Sequence, residues 1–107
     1  MPDTLHEQFD NLAHLLRQMI SLLQESEEQF WLGYLRRALQ QVEDRKLAGA
    51  TFILGCYGGQ DTFSDLVIAQ HWEQTQPLQF ANANARLHTL RTDVFESAGA
   101  IASRRHW

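Results

Sequence analysis

The sequence predicts a mainly α-helical fold: one domain over residues 1–107, built as a small antiparallel bundle of about four helices. Two observations carry this expectation. Apolar residues recur at steps of three and four in two successive stretches near the start and again near the end, and a very short connection joins the first two stretches. The middle of the chain has no such period, and a short β-hairpin around residues 50–69 stays open there as an alternative.

The first helix is marked by Leu5, Phe9, Leu12, Leu16, Met19 and Leu23, with Leu15, Ile20 and Leu22 widening the apolar stripe. Thr4 and Glu7 have the spacing of a capping box, in which the hydroxyl and the carboxylate each satisfy an otherwise orphaned amide. The helix is therefore expected from Thr4 to Gln24.

Ser26 and Gln29 repeat the capping-box spacing, and Glu27 and Glu28 place negative charge at the positive end of the following helix dipole. Trp31, Leu35, Leu39 and Val42 keep helical spacing with Tyr34 and Ala38 beside them, while Arg36, Arg37, Gln40 and Gln41 fall off that stripe. A second helix is expected over 27–46, antiparallel to the first.

The run LAGATFILGCY, Leu47 to Tyr57, fits either element type. Leu47, Thr51 and Leu54 suit a helix that stops at Gly58-Gly59, where glycine supplies a left-handed residue just past the last turn. Thr51, Phe52 and Ile53 suit a strand paired with Leu66, Val67 and Ile68 across a glycine turn. The helix is favoured. After it, AQHWEQTQPLQF is polar, contains Pro77 and reads as a surface loop, with Asn82 or Asn84 capping a last helix through Leu87, Leu90, Val94, Ala98 and Ile101.

Bulk properties exclude several function classes. A formal charge of −4 with Lys and Arg totalling 9 argues against nucleic-acid binding, which needs a basic face to displace counterions. The single cysteine, Cys56, cannot form an internal disulfide and fits a reducing compartment. Met1-Pro2-Asp3 lacks the basic start of an export signal, and no apolar stretch is long enough to span a bilayer, so a cytoplasmic location is expected.

The stretch GCYGGQDTFSDL, Gly55 to Leu66, carries the strongest local signal. A phosphate loop is disfavoured because the stretch has no lysine and Asp61 and Asp65 would repel an anion. Asp61, Asp65, His71 and Cys56 are the residue types of a small metal-dependent hydrolase, although their spacing matches neither a zinc nor a calcium pattern. The simpler reading is a braced turn: Gly58 and Gly59 reverse the chain, while Asp61, Thr62, Ser64 and Asp65 offer acceptors to nearby amides. Neither a cofactor nor a metal is expected.

Residues Gly58 to Leu66, with the Trp31–Leu39 helix before them and Asn84 to Arg91 after, resemble a small bacterial domain family of unknown function that carries a Gly-Gly-Met-Gly-Ser-x-Asn-Asp-Leu core. Gly58, Gly59, Asp65 and Leu66 match that core, whereas Gln60, Asp61 and Ser64 depart from it. The resemblance brings no catalytic residues. Domains of this size and kind are similar to the immunity proteins that neutralise bacterial toxins. The expected function is accordingly a non-enzymatic module that binds a cognate, basic toxin through Asp61, Asp65, Trp72 and Glu73, with the small hydrolase as alternative. A third reading is a homodimer formed by the first helix through Phe9, Leu15, Met19 and Ile20, which is also compatible with the immunity role.

Overall fold

A computed structural model describes residues 4–57, 63 and 66–104. Its helices are α1 (Leu5–Glu25), α2 (Phe30–Glu43), α3 (Leu47–Gly55) and α4 (Pro77–Ala102), with a 3-10 turn at Gln70–Trp72 between the last two. Packing runs round the bundle: α1 lies against α2 and α4, and α3 closes the ring by lying against both α2 and α4. The expected helical bundle is the fold. Among the described residues no strand forms, so the hairpin alternative falls away.

The stripe read from the first segment is the buried one. Leu12, Leu16, Met19 and Leu23 of α1 are sealed against Leu35 and Val42 of α2 and Leu87, Val94 and Ile101 of α4. Removing such surface from water is the main stabilising term, at roughly 25 cal/mol per Å². Thr4 caps α1 as expected: its hydroxyl oxygen accepts from the Glu7 N–H at 3.0 Å. Its own proton goes to the Glu7 carboxylate at 2.9 Å.

The second helix is shorter than the expected 27–46 at both ends. Ser26 closes α1 instead of opening α2: its N–H turns back to the Leu22 carbonyl at 3.0 Å. The next residue, Glu27, then has a left-handed φ of 59°, which no helix accommodates. The capping role passes to Glu28, whose carboxylate accepts from the Trp31 N–H at 3.1 Å. At the other end Arg45 has φ 60° and breaks the helix. That conformation is unfavourable for a residue with a Cβ, and the arginine offsets it by donating to the Val42 carbonyl at 3.3 Å, to His6 at 3.3 Å and to the Asp10 carboxylate. One side chain thus ties the α2–α3 turn to α1.

The favoured helical reading of residues 47–57 holds, and α3 ends at Gly55 with Cys56 as its cap, short of the glycine pair. Gly49 packs tightly against α2: a Cβ there would lie 2.9 Å from both Val42 Cγ2 and the Val42 backbone nitrogen. Two expectations downstream are corrected. Residues 69–80 are not one surface loop, because Pro77 starts α4 at its first turn, the position where its missing N–H costs nothing. Asn84 is therefore inside α4 and caps nothing. Its side chain instead accepts from the Ile68 N–H at 2.9 Å and donates to the Ile68 carbonyl at 2.9 Å, the pair of bonds a neighbouring strand would have made.

Candidate functional site

The first turn of α2 puts three aromatic residues, Phe30, Trp31 and Tyr34, where the helix meets α3. Trp31 is half-buried, while Phe30 and Tyr34 remain 66% and 41% exposed. Their rings support one another: Phe30 meets Trp31 edge-on with centroids 5.3 Å apart, and Trp31 lies 5.1 Å from Tyr34. Phe52 of α3 stacks on Tyr34 at 6.3 Å. Beneath them Trp31 contacts the fully buried Phe63 at 5.4 Å, and Tyr57 joins Phe63 at 5.5 Å to Phe95 of α4 at 4.9 Å. Edge-to-face and offset contacts of this kind add to the stabilisation that burial gives.

Between α2 and α3 these rings border an open groove of about 470 Å³, lined by Phe30, Trp31, Tyr34, Thr51, Phe52, Gly55 and Cys56. A Cβ on Gly55 would meet no atom within 4 Å, so this end of α3 leaves room for a visiting side chain. Cys56 has neutral chemistry here. Burial pushes its thiol above the ordinary 9.0, and the thiol donates to the Phe52 carbonyl at 3.5 Å. A raised thiol is a poor nucleophile at neutral pH.

The ends of the glycine-rich stretch join this surface to α4. The Phe63 N–H donates to the Cys56 carbonyl at 2.9 Å. The Arg91 guanidinium donates to the carbonyls of Phe63 at 3.1 Å and Leu66 at 3.0 Å. The Tyr57 hydroxyl returns a bond to the Arg91 carbonyl at 2.6 Å, and burial pushes this phenol well above its ordinary range, with Arg91 opposing part of the shift. Gly58, Gly59, Asp61, Thr62, Ser64 and Asp65, the residues expected to turn the chain or meet a partner there, lie outside the described residues.

The other expected contacts are elsewhere. Trp72, half-buried, and Glu73, exposed, belong to the 3-10 turn and its cap at the α1–α4 edge. His71 beside them pairs with Glu27 at 3.0 Å. Among the described residues, no three of His, Cys, Asp and Glu come together as metal ligands. On α1, Phe9 and Met19 are enclosed by the bundle, and Leu15 and Ile20 are half-buried at its margin. Among the described residues no helix is long and apolar enough to cross a membrane.

Phe30 has no place in the apolar stripe predicted for α2, and Tyr34 stands there only beside it. The available signal was their spacing: four residues apart, on the same side of α2 as Arg37 and away from Leu35 and Val42, they mark an apolar pair on an outward face.

In comparison with known proteins, residues 24–76 match a domain of unknown function, DUF6966. The matched segment begins at the end of α1 and includes α2, α3 and the 3-10 turn, and with them the entire aromatic surface. No curated protein matches the chain, and no solved structure does.

Proposed function

We propose that this chain is a non-enzymatic protein-binding module, and concretely an immunity protein that neutralises a cognate bacterial toxin by docking it on the aromatic surface of α2 and α3. The observation that carries the reading is the mutually braced set of exposed Phe30 and Tyr34 with half-buried Trp31 and Phe52 around an open apolar groove. Aromatic side chains held in place before binding lose little entropy on association and are the usual anchors of protein interfaces.

Charge suggests the partner's character. Glu25, Glu27 and Glu28 immediately precede the aromatic residues, and the chain carries −4 overall. A toxin presenting an apolar protrusion flanked by lysine or arginine is complementary to that edge. The Gly58–Leu66 likeness supports the immunity role; Asp61 and Asp65 stay candidate partner contacts, and Trp72 with Glu73 would meet only a partner wide enough to reach the 3-10 turn.

The test is co-expression. The tagged chain is used to capture the product of the neighbouring gene, and that product is then expressed alone and together with the wild-type chain or its Phe30→Ala/Tyr34→Ala variant. A basic protein that arrests growth alone, is harmless with the wild type and toxic again with the variant supports the proposal. A neighbour that fails to bind, or that is neutralised equally by both forms, contradicts it.

A further inference from the structure

Among the described residues, Glu27, Arg45 and Ala69 have a left-handed backbone, with φ of 59°, 60° and 60°, and each lies in a connection between α-helices. For a residue with a Cβ this conformation is unfavourable and persists only where surrounding contacts hold it. A histidine supplies such a contact at both ends of α2. His6 bonds Arg45 in the α2–α3 connection, and His71, two residues after Ala69, pairs with Glu27 in the α1–α2 connection.

The two contacts respond to a proton in opposite ways. The Arg45 Nε–H donates to His6 Nδ1 at 3.3 Å, so this nitrogen carries no proton. The proton of the neutral ring then sits on Nε2, which faces Asp10 Oδ2 at 3.5 Å, while the other Asp10 oxygen accepts from Arg45. A second proton turns Nδ1 from acceptor into donor and sets an imidazolium beside a guanidinium that never loses its charge. The Arg45–His6 bond is then lost, and two cations compete for Asp10. Nearby, the Glu7 carboxylate is engaged by Thr4, and Arg104 of α4 reaches α1 at Gln8.

At the other end, His71 Nε2 lies 3.0 Å from Glu27 Oε2 and donates to it. Protonation keeps that donor and adds the charge that makes such a bond stronger. Glu73, also negative, borders the same open space as His71, and Glu25 of α1 and Arg86 of α4 border the adjoining cleft at Trp72. Both imidazoles are exposed, so protons reach them from solvent.

We infer that His6 and His71 are pH-sensitive clasps of opposite sign: proton uptake releases Arg45 in the α2–α3 connection and tightens the hold of the 3-10 turn on the α1–α2 connection. Between about pH 7.5 and about pH 5, where imidazole changes charge, backbone opening therefore shifts from one end of α2 to the other. Each clasp acts on backbone that is already strained, which is where a surface contact has most leverage.

The experiment is amide hydrogen exchange of the full chain by NMR at the two pH values, corrected for intrinsic rates. The Lys46 N–H, bonded to the Gln41 carbonyl at 3.0 Å, reports on the first connection. The Glu28 N–H on the Leu23 carbonyl at 2.9 Å and the Trp72 N–H on the Ala69 carbonyl at 2.8 Å report on the second. On acidification, protection at Lys46 should fall by about two- to fivefold and protection at Glu28 and Trp72 should rise by a similar factor, the size of an exposed charged contact. In His6→Asn the amide oxygen replaces Nδ1 as an acceptor that does not titrate, and in His71→Gln the amide nitrogen replaces Nε2 as a donor that does not titrate. Each variant should abolish the pH response at its own connection and leave the other intact. Protection that is unchanged, or that moves in the same direction at both connections, overturns the inference. A response that persists in the matching variant also overturns it.

Discussion

Trp31 and Trp72 are both half-buried, yet their surroundings differ. Trp31 stands among rings: Phe30, Tyr34 and Phe63 all lie within 5.4 Å of it, centroid to centroid. Trp72 has one aromatic neighbour, His71 at 5.1 Å, and borders a cleft of polar side chains. The first arrangement is a fixed apolar platform suited to a large surface, and the second is a small polar niche. Exposure alone does not distinguish them; what each tryptophan leans on does.

Substituting the two tryptophans is the strongest way to sharpen this contrast. Trp31→Ala should cost about 3 kcal/mol in chemical denaturation, because it removes the ring that joins the surface to Phe63. Trp72→Ala, which disturbs no ring lattice, should cost about 1 kcal/mol. Equal losses would mean that the platform is not a cooperative unit.

Arg91→Ala should follow at about 2–3 kcal/mol, since it leaves the Phe63 and Leu66 carbonyls without their charged donor. Urea unfolding checks this, and a loss below about 0.5 kcal/mol, the range of ordinary surface changes, would detach the platform from α4.

Gly49→Ala should cost about 1–2 kcal/mol by forcing α3 away from Val42, whereas Gly55→Ala, with open space at its Cβ, should gain about 0.5 kcal/mol. Thermal melts of the pair test whether the helix spacing that frames the groove is set at Gly49. The smallest effect is on pH. Cys56 and Tyr57 have folded-state pKa values raised above 9.0 and 10.0, so the fold holds their neutral forms more tightly than the unfolded chain does. The resulting stability is intact below pH 9.0 and is lost as pH rises through the ordinary values toward the folded ones. Melting temperature should therefore decline above that point in the wild type and decline less in Tyr57→Phe.

Much of the bundle was legible because α1, α2 and α4 each bury a stripe that repeats at the helical period, as Leu12, Leu35 and Leu87 illustrate. The ends were less legible. Glu27 and Arg45 adopt left-handed conformations usually left to glycine, and the compensating bonds to Arg45 come from residues distant in sequence. Pro77 in a polar stretch signals a loop, yet it opens α4, a distinction that depends on which side of it the helix lies. The candidate surface was only partly visible: a helical wheel separates inside from outside but cannot show that Phe52 of another helix will extend the patch begun by Phe30 and Tyr34. Asn84 and Arg91 are one helical face of α4, and their use as clips for Phe63, Leu66 and Ile68 depends on tertiary proximity alone.

The central claim is that the aromatic surface of α2 and α3 is where the partner docks. Its most direct test is the affinity of the captured toxin for the wild type and for Phe30→Ala/Tyr34→Ala and Gly55→Arg, measured by calorimetry with folding confirmed by circular dichroism. Truncating the anchors or filling the groove should each weaken binding by about 100-fold or more, with Trp72→Ala changing it by less than about tenfold. Wild-type affinity in both folded surface variants would contradict the claim.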